Sequence, residues 1–406
     1  MSFLLDELRS NDSDGLFDSC AMVDSYKTGI AVLDYMLGYK VGVYNDAGEL
    51  VDEYAALGIN AGCMLTIIGK SSTAKTSTLL GLAGAIVRPF KNGVIFHHDL
   101  EQAMNITRAK NMLHFNIQDM KNKYVLRHGQ STINDIKKEI MLIYKEKTEN
   151  ADKYTYESGK LDEFGQPIRL LEPTVIIIDS IPQLTVKLNE NLKADWNKMI
   201  DTTSQPDNMR NTGEISRFYT DILPFIRKAN IIVMSVNHIN SRPQLGFIPE
   251  PSELLGLKQN EHLPGGVRAA YLAHYLLKSV AIGSEKYTKD DDGFDGFGIR
   301  LEIIKSRSNQ ALQSMIIIYD KIHGVDPVRT CIRYADDNGL TGGNKRSKWF
   351  LNAPDKKFGM RTVTSEFREN PELYKIMYDA ITPLLEKSLS YVDDSDLVVS
   401  DAAFEY

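Results

Sequence analysis

The stretch that decides the fold is CMLTIIGKSSTAKTSTLLGLAGAIV, residues 63–87. An apolar run ends at Gly69, a polar loop follows through Lys70, Ser71, Ser72, Thr73 and Ala74, and a helical pattern opens at Lys75, Thr76 and Ser77. Strand, loop and helix in that order form the frame of a phosphate-binding P-loop. Backbone N–H groups of such a loop and the positive end of the helix dipole cradle phosphates. In this frame Lys75 reaches the β and γ phosphates and the Thr76 hydroxyl ligates magnesium, so ATP and Mg2+ are the expected cofactors. Ala74 departs from the pattern, standing where a second glycine is expected. If φ is positive there, its methyl group costs strain.

Working outward, apolar β-branched runs recur at GVIFHH (93–98), TVIIID (174–179) and NIIVMSV (230–236), alternating with amphipathic segments such as STINDIKKEIMLIYK (131–145). Continuous apolar strands separated by helices predict an α/β fold, a mostly parallel twisted sheet flanked by helices. HYLLKSVAI, GIRLEIIK and LQSMIIIYD follow with only turn-like material between them, including the acidic KDDDGFDGFG, and are expected to extend the sheet as antiparallel strands.

Three of these runs end on a functional candidate. Asp179 closes TVIIID, where a second magnesium contact belongs, although an aspartate after a strand also serves as a plain N-cap. Glu101 follows GVIFHH and is a candidate to orient the water that attacks the γ-phosphate; a first-turn glutamate stabilising a helix start is the plainer alternative. Asn237 and His238 end NIIVMSV, and a side chain there could sense the γ-phosphate and pass its presence into the loop that follows.

The chain has 406 residues, 43% of them hydrophobic, enough for one large core with modest additions. Cys20, Cys63 and Cys331 are far apart and lack zinc or disulfide spacing, which fits a reducing compartment. No basic start leads into an apolar run, and no stretch approaches the roughly 20 apolar residues of a membrane span, so a soluble, cytoplasmic protein is expected. The net charge of −7 argues against a globally basic nucleic-acid coat but leaves room for local basic surface.

In order and spacing, KTGIAVLDYMLG (27–38), GKSSTAKTS (69–77), DLEQAM (99–104), IIDSIPQL (177–184), SVNHI (235–239), LPGG (263–266) and IIKSRS (303–308) resemble the RecA/RadA recombinase family, most closely the phage UvsX-like members. The resemblance covers roughly residues 27–330. It implies a RecA-like ATPase core with Glu101 as the catalytic glutamate, Asp179 as the Walker B aspartate and His238 in a γ-phosphate-sensing place. Lys305 and Arg307 look like the pair of cations that a neighbouring protomer extends onto the γ-phosphate. Arg108 falls where family members stack a side chain on adenine.

The resemblance further implies an N-terminal protomer-packing arm (1–26) and self-assembly into a helical homo-oligomer. DNA-binding loops are expected near 187–214 and 239–263. Met209, Arg210, Arg242, Phe247 and Ile248 are the candidates to meet single-stranded DNA, combining cations for phosphates with apolar wedges between bases. A small C-terminal region (331–390) and an acidic tail (391–406) complete the division. Lys345, Arg346, Lys348, Lys356, Lys357 and Arg361 suggest a second basic surface facing duplex DNA. The implied activity is DNA-dependent ATP hydrolysis driving homologous pairing and strand exchange in recombination and repair. Its partners would be single-stranded DNA, homologous duplex, single-strand-binding proteins and mediator proteins, with no membrane, in the cytoplasm of a cell or of a phage's host. Two other readings stay open: a hexameric RecA-fold helicase, and a non-catalytic assembly protein switched by nucleotide, for which Ala74 is the motive.

Overall fold

The computed structural model of the protein describes residues 24–389, apart from 46, 130, 185–204, 242–251, 253, 255 and 288. Nine strands form one central sheet. In chain order they are β1 (Met64–Gly69), β2 (Val94–Asp99), β3 (Tyr124–His128), β4 (Thr174–Asp179), β5 (Ile231–His238), β6 (Tyr275–Tyr287), β7 (Gly296–Ser306), β8 (Ser314–Asp320) and β9 (Gly324–Val325). Across the sheet the order is β9-β8-β7-β6-β1-β5-β4-β2-β3. From β3 to β6 every neighbour is parallel, and from β6 to β9 every neighbour is antiparallel. The expected mixed α/β architecture is therefore present. One of the three runs read as an antiparallel extension, β6, lies parallel to β1 and forms the hinge between the two halves of the sheet.

Burial on both faces explains why the central strands carry no polar alternation. Every residue of β1 and β4 is buried. On one face, α1 (Lys75–Val87) packs over the sheet with α2 (Ile106–Leu113) beside it, the two making contact. On the other lie α3 (Ile133–Glu149) and α4 (Gln205–Lys228), which also contact each other. Ile215, Phe218, Tyr219, Ile222 and Ile226 recur at helical spacing on α4 and are all buried against Ile176, Ile178 and Val233 of the strands.

The α1–α2 contact is close because of Gly84. A Cβ at that position would lie 2.5 Å from the Leu113 carbonyl oxygen, and that backbone has no room to yield. Gly84→Ala should lower stability by about 1–3 kcal/mol through overpacking, read as a lower midpoint in thermal unfolding. An unchanged midpoint would mean that the two helices are not held at this spacing.

On the opposite face Lys147 is buried with its ammonium donating to the carbonyl oxygens of Glu172 at 2.6 Å and Ala229 at 2.8 Å. Burial lowers its pKa from 10.5 to about 7, against a smaller opposing pull from Glu172. The unfolded chain thus binds this proton more tightly than the folded one between those values, so stability should rise as pH goes from about 7 towards 10. Lys147→Met should remove that part of the slope in chemical denaturation at a series of pH values.

Four features depart from the sequence expectation. The arm drawn as 1–26 takes in an ordered pairing: Ser25 and Tyr26 pair antiparallel with Asn60 and Ile59, so the chain joins the core from Asp24 onward. The loop placed at 187–214 overlaps helix α4, which already begins at Gln205. The boundary at 330/331 falls inside α5 (Pro327–Asp337), whose Cys331, Ile332 and Ala335 share one apolar cluster with Leu65, Leu80, Phe367 and Ile381. The C-terminal region, including α6 (Glu372–Glu386), is thus packed on the main core.

The acidic turn 289–298 is also more than solvated connection. Buried Arg329 on α5 pairs with Asp290 at 2.7 Å and stacks over Phe294, while Asp292 accepts from Thr364 N and Ser365 Oγ. This turn fastens the C-terminal helices to the sheet. No helix among the described residues is long and apolar enough to cross a membrane.

Candidate nucleotide site at the carboxyl edge of the sheet

Strand register brings the candidates together. Ser279 of β6, Gly69 of β1 and His238 of β5 stand in one row, and Asp179 of β4, Asp99 of β2 and His128 of β3 in another. All end at the carboxyl edge of the parallel strands, where α/β sheets form their ligand crevices.

The 69–76 loop rises from this edge. A Cβ on Gly69 would lie 2.5 Å from the Ser279 carbonyl oxygen, so only glycine lets β1 leave the sheet beside β6. Ser279 Oγ donates to Thr73 O at 2.5 Å and anchors the loop from outside. Ser72 and Ala74 both adopt left-handed backbone, with φ of 60° and 54°. The strain expected at Ala74 is therefore real, about 1–2 kcal/mol for a residue with a Cβ. Lys70, Ser71 and Ser72 are exposed, Ala74 and Thr76 half-buried, and Thr73, Lys75 and Ser77 buried. Ser77 accepts from Tyr319 at 2.9 Å and faces the core, so the structure gives it a packing contact.

Lys75 stands at the first position of α1 and curls back to donate to Lys70 O at 2.7 Å. Burial holds its ammonium below the usual range, opposed by the nearby Asp179 and Glu101 carboxylates. Thr76 Oγ1 donates to Asp179 Oδ2 at 2.7 Å. Burial pushes Asp179 up to about 6; the Thr76 bond opposes this, and the Glu101 and Asp99 carboxylates add to it. A hydroxyl and a carboxylate at the mouth of a loop, in a neighbourhood crowded with negative charge, suit Mg2+. That ion takes one or two carboxylates and completes its shell with phosphate oxygens and water.

Glu101 accepts from Ser180 Oγ at 2.7 Å and meets His238 Nε2 at 2.9 Å. Burial raises its pKa, but the His238 and Ser180 bonds and the Lys75 charge outweigh this and hold the carboxyl below its usual range. Ser180 follows a cis peptide bond from Asp179 and is fully buried. Asn237 donates through Nδ2 to Pro264 O at 3.1 Å, tying the end of β5 to the LPGG turn. Ser180 and Ser279 were not singled out from sequence. Short hydroxyl side chains beside strands carry no periodic signal, and only the register shows what they face.

Lys305 and Arg307 lie elsewhere. Lys305 pairs with Leu276, which pairs with Thr66, and β7 runs antiparallel, so both cations sit towards the amino edge of the parallel strands. From Gly69 back to Leu65 is about 13 Å along the sheet at the usual rise per residue. Lys305 Nζ donates to Tyr271 O, and burial together with the adjacent Arg307 lowers its pKa.

Arg108 is exposed in the first turn of α2 and lines a surface cavity of about 470 Å³ with Asn105, Thr107, Asn111, Lys321 and Ile322. That volume lies within the range of small-molecule sites. A second polar cavity of about 310 Å³, against β2 and β3, is lined by His98, Arg127, His128, Ser131, Asp135 and Glu139. Glu139 there already pairs with His98 at 2.7 Å and Arg127 at 3.0 Å.

Of the DNA candidates, the side chains of Met209 and Arg210, and Arg242, Phe247 and Ile248 altogether, lie outside the described residues, as do the 1–23 arm and the 391–406 tail. The second loop is closed at its base by a short ladder, Asn240 and Ser241 against His262 and Glu261. In the basic C-terminal cluster, Lys348 pairs with Asp336 at 2.6 Å, Lys356 with Glu372 at 2.9 Å and Arg361 with Asp291 at 2.8 Å. Three of the six cations read as a second basic surface are thus paired with carboxylates. No family model and no curated protein matches this sequence.

Proposed function

We propose that the protein is an ATP-driven recombinase of the RecA type, closest to the UvsX-like members, which assembles head to tail on single-stranded DNA. The observation that carries this reading is the convergence of Lys75, Thr76, Asp179, Glu101 and His238 on the end of one parallel sheet, with Lys305 and Arg307 towards its other edge. Residues 69–76 bind the phosphates of ATP, and Lys75 turns from Lys70 O to the β and γ phosphates. Thr76 and Asp179 would hold Mg2+, which would supply positive charge to the phosphate oxygens. Glu101 orients water for in-line attack, held by Ser180 and His238. Arg108 covers the adenine at the α2 cavity.

His238 faces the γ-phosphate position from the root of the 239–263 loop, so nucleotide state reaches the segment that meets DNA. Cations at the far edge of a neighbouring copy complete the site, and head-to-tail contact of that kind generates an open helix or a ring. Within the filament, complementarity between strands supplies sequence recognition, and the protein supplies backbone contacts and spacing.

Two measurements decide it. ATP hydrolysis should be stimulated by single-stranded DNA, and electron microscopy with single-stranded DNA and a slowly hydrolysed ATP analogue should show helical filaments. Closed rings with strand separation of a forked duplex would establish the helicase instead. Absence of hydrolysis with and without DNA would leave the nucleotide-switched assembly protein.

A further inference from the structure

Glu261 lies at the closing ladder of the second loop and has a side chain only 4% exposed. Its carboxylate is approached by donors from three parts of the chain. Oε2 accepts from Lys258 N at 3.0 Å and lies 3.9 Å from Lys278 Nζ, which itself donates to Gly256 O at 2.6 Å. Oε1 faces Lys70 Nζ at 3.7 Å. Lys70 is the first residue of the phosphate loop, and its side chain is 63% exposed. Its carbonyl oxygen simultaneously accepts from Lys75 Nζ at 2.7 Å and from Thr73 Oγ1 at 2.9 Å.

Lys70 therefore faces two ways: its backbone oxygen accepts from the phosphate-binding lysine, and its ammonium lies within ion-pair range of Glu261 at the base of the second loop. A triphosphate in the 69–76 loop acts on both. It draws Lys75 off the Lys70 carbonyl, and it offers the exposed Lys70 ammonium an anion of higher charge than one carboxylate. Glu261 can release Lys70 because Lys278 and the Lys258 amide remain to satisfy it; a buried carboxylate without them would resist separation.

We propose that Glu261 is a positioning residue that latches the base of the second loop to the phosphate loop through Lys70, and that triphosphate binding opens the latch. This rests on the reading of 69–76 as a nucleotide site and adds a second connection, separate from Glu101 and His238, between that site and the DNA-facing loop. The carboxylate competes with phosphate for Lys70, so removing it should tighten nucleotide binding.

The test uses the full chain and a non-hydrolysable ATP analogue, with no DNA present. Glu261→Gln should tighten analogue binding about two- to five-fold, the range for an ion pair with one exposed partner. The same substitution should have no effect in a Lys70→Gln background, whereas Lys70→Arg, which keeps the pair, should preserve the Glu261 effect. In unmodified protein the analogue should speed amide hydrogen exchange at Glu261 and His262, and Lys70→Gln alone should do the same without nucleotide. This second readout stands even if Glu261→Gln fails to fold. Unchanged or weaker analogue binding by folded Glu261→Gln, an equal effect in the Lys70→Gln background, or slower exchange at Glu261 on analogue binding would overturn the latch. Failure of the unmodified protein to bind the analogue would overturn the nucleotide reading itself, a separately visible result.

Discussion

Lys75→Ala is expected to reduce ATP turnover by at least about 100-fold, and Glu101→Gln by a similar factor, but through different steps. Among the described residues the Lys75 ammonium has no acidic partner within ion-pair distance, and its described hydrogen bond is to Lys70 O, so on the proposed reading its loss removes a phosphate contact and leaves the core intact. Nucleotide affinity should fall together with turnover. Glu101 sits at the end of its own hydrogen-bonded pair with Ser180 and His238, and glutamine preserves its shape and its capacity to accept from Ser180. Affinity for ATP should therefore persist while hydrolysis is lost, and on the proposed reading a filament formed with ATP should become long-lived. A 100-fold loss corresponds to about 2.7 kcal/mol of transition-state stabilisation, within reach of one positioned base or one charge contact. Equilibrium binding of a fluorescent ATP analogue beside steady-state hydrolysis separates the two variants. If Glu101→Gln hydrolyses ATP at the unmodified rate, Glu101 does not position the attacking water and the site's chemistry has been misassigned.

The contrast between those variants reflects what a linear sequence can and cannot disclose. Lys75 and Thr76 were legible from the strand, polar loop and helix order and Asp179 from its place at the end of an apolar run, and the alternation of such runs with helices forces them to one sheet edge. Glu101 and His238 were legible as strand-end residues, but their mutual contact depends on β2 and β5 flanking β4, which no local pattern encodes. Ser180, Ser279 and Glu261 were invisible for the same reason: a hydroxyl or carboxylate that anchors a loop from a neighbouring strand leaves no periodic trace. The start of α4 was missed because Gln205–Asn211 is polar and its helicity is continued from the apolar stripe beyond it. The division at 330/331 follows the end of the last apolar strand run, which carries no sign that the helix Pro327–Asp337 crosses it. The aromatic residues that bind this region to the core, Phe350, Phe358 and Phe367, are too widely spaced to register as one element.

The position of Lys305 and Arg307 leads to the other large expected effect. Both lie towards the amino edge of the parallel strands, and Lys305 pairs with Leu276 at least three residues of β1 away from Gly69. Neither side chain can serve the phosphate loop of its own copy without dismantling the sheet, so on the proposed reading they act on a neighbour. Replacing both by alanine should lower DNA-stimulated turnover by about 1,000-fold, the scale of a cation finger on a transferring phosphoryl group. Nucleotide binding by the isolated chain should be nearly unaffected. The decisive arm mixes this double variant with Lys75→Ala. Each is inactive alone, one lacking the cations and the other the phosphate-binding lysine. An interface formed by the phosphate loop of the double variant and the cations of Lys75→Ala has every part. Random head-to-tail mixing at equal amounts creates such interfaces at roughly a quarter of positions, and activity should return in that proportion. No recovery, in a mixture shown by microscopy to co-assemble, would mean that the two cations do not act across an interface and that the site is contained within one copy.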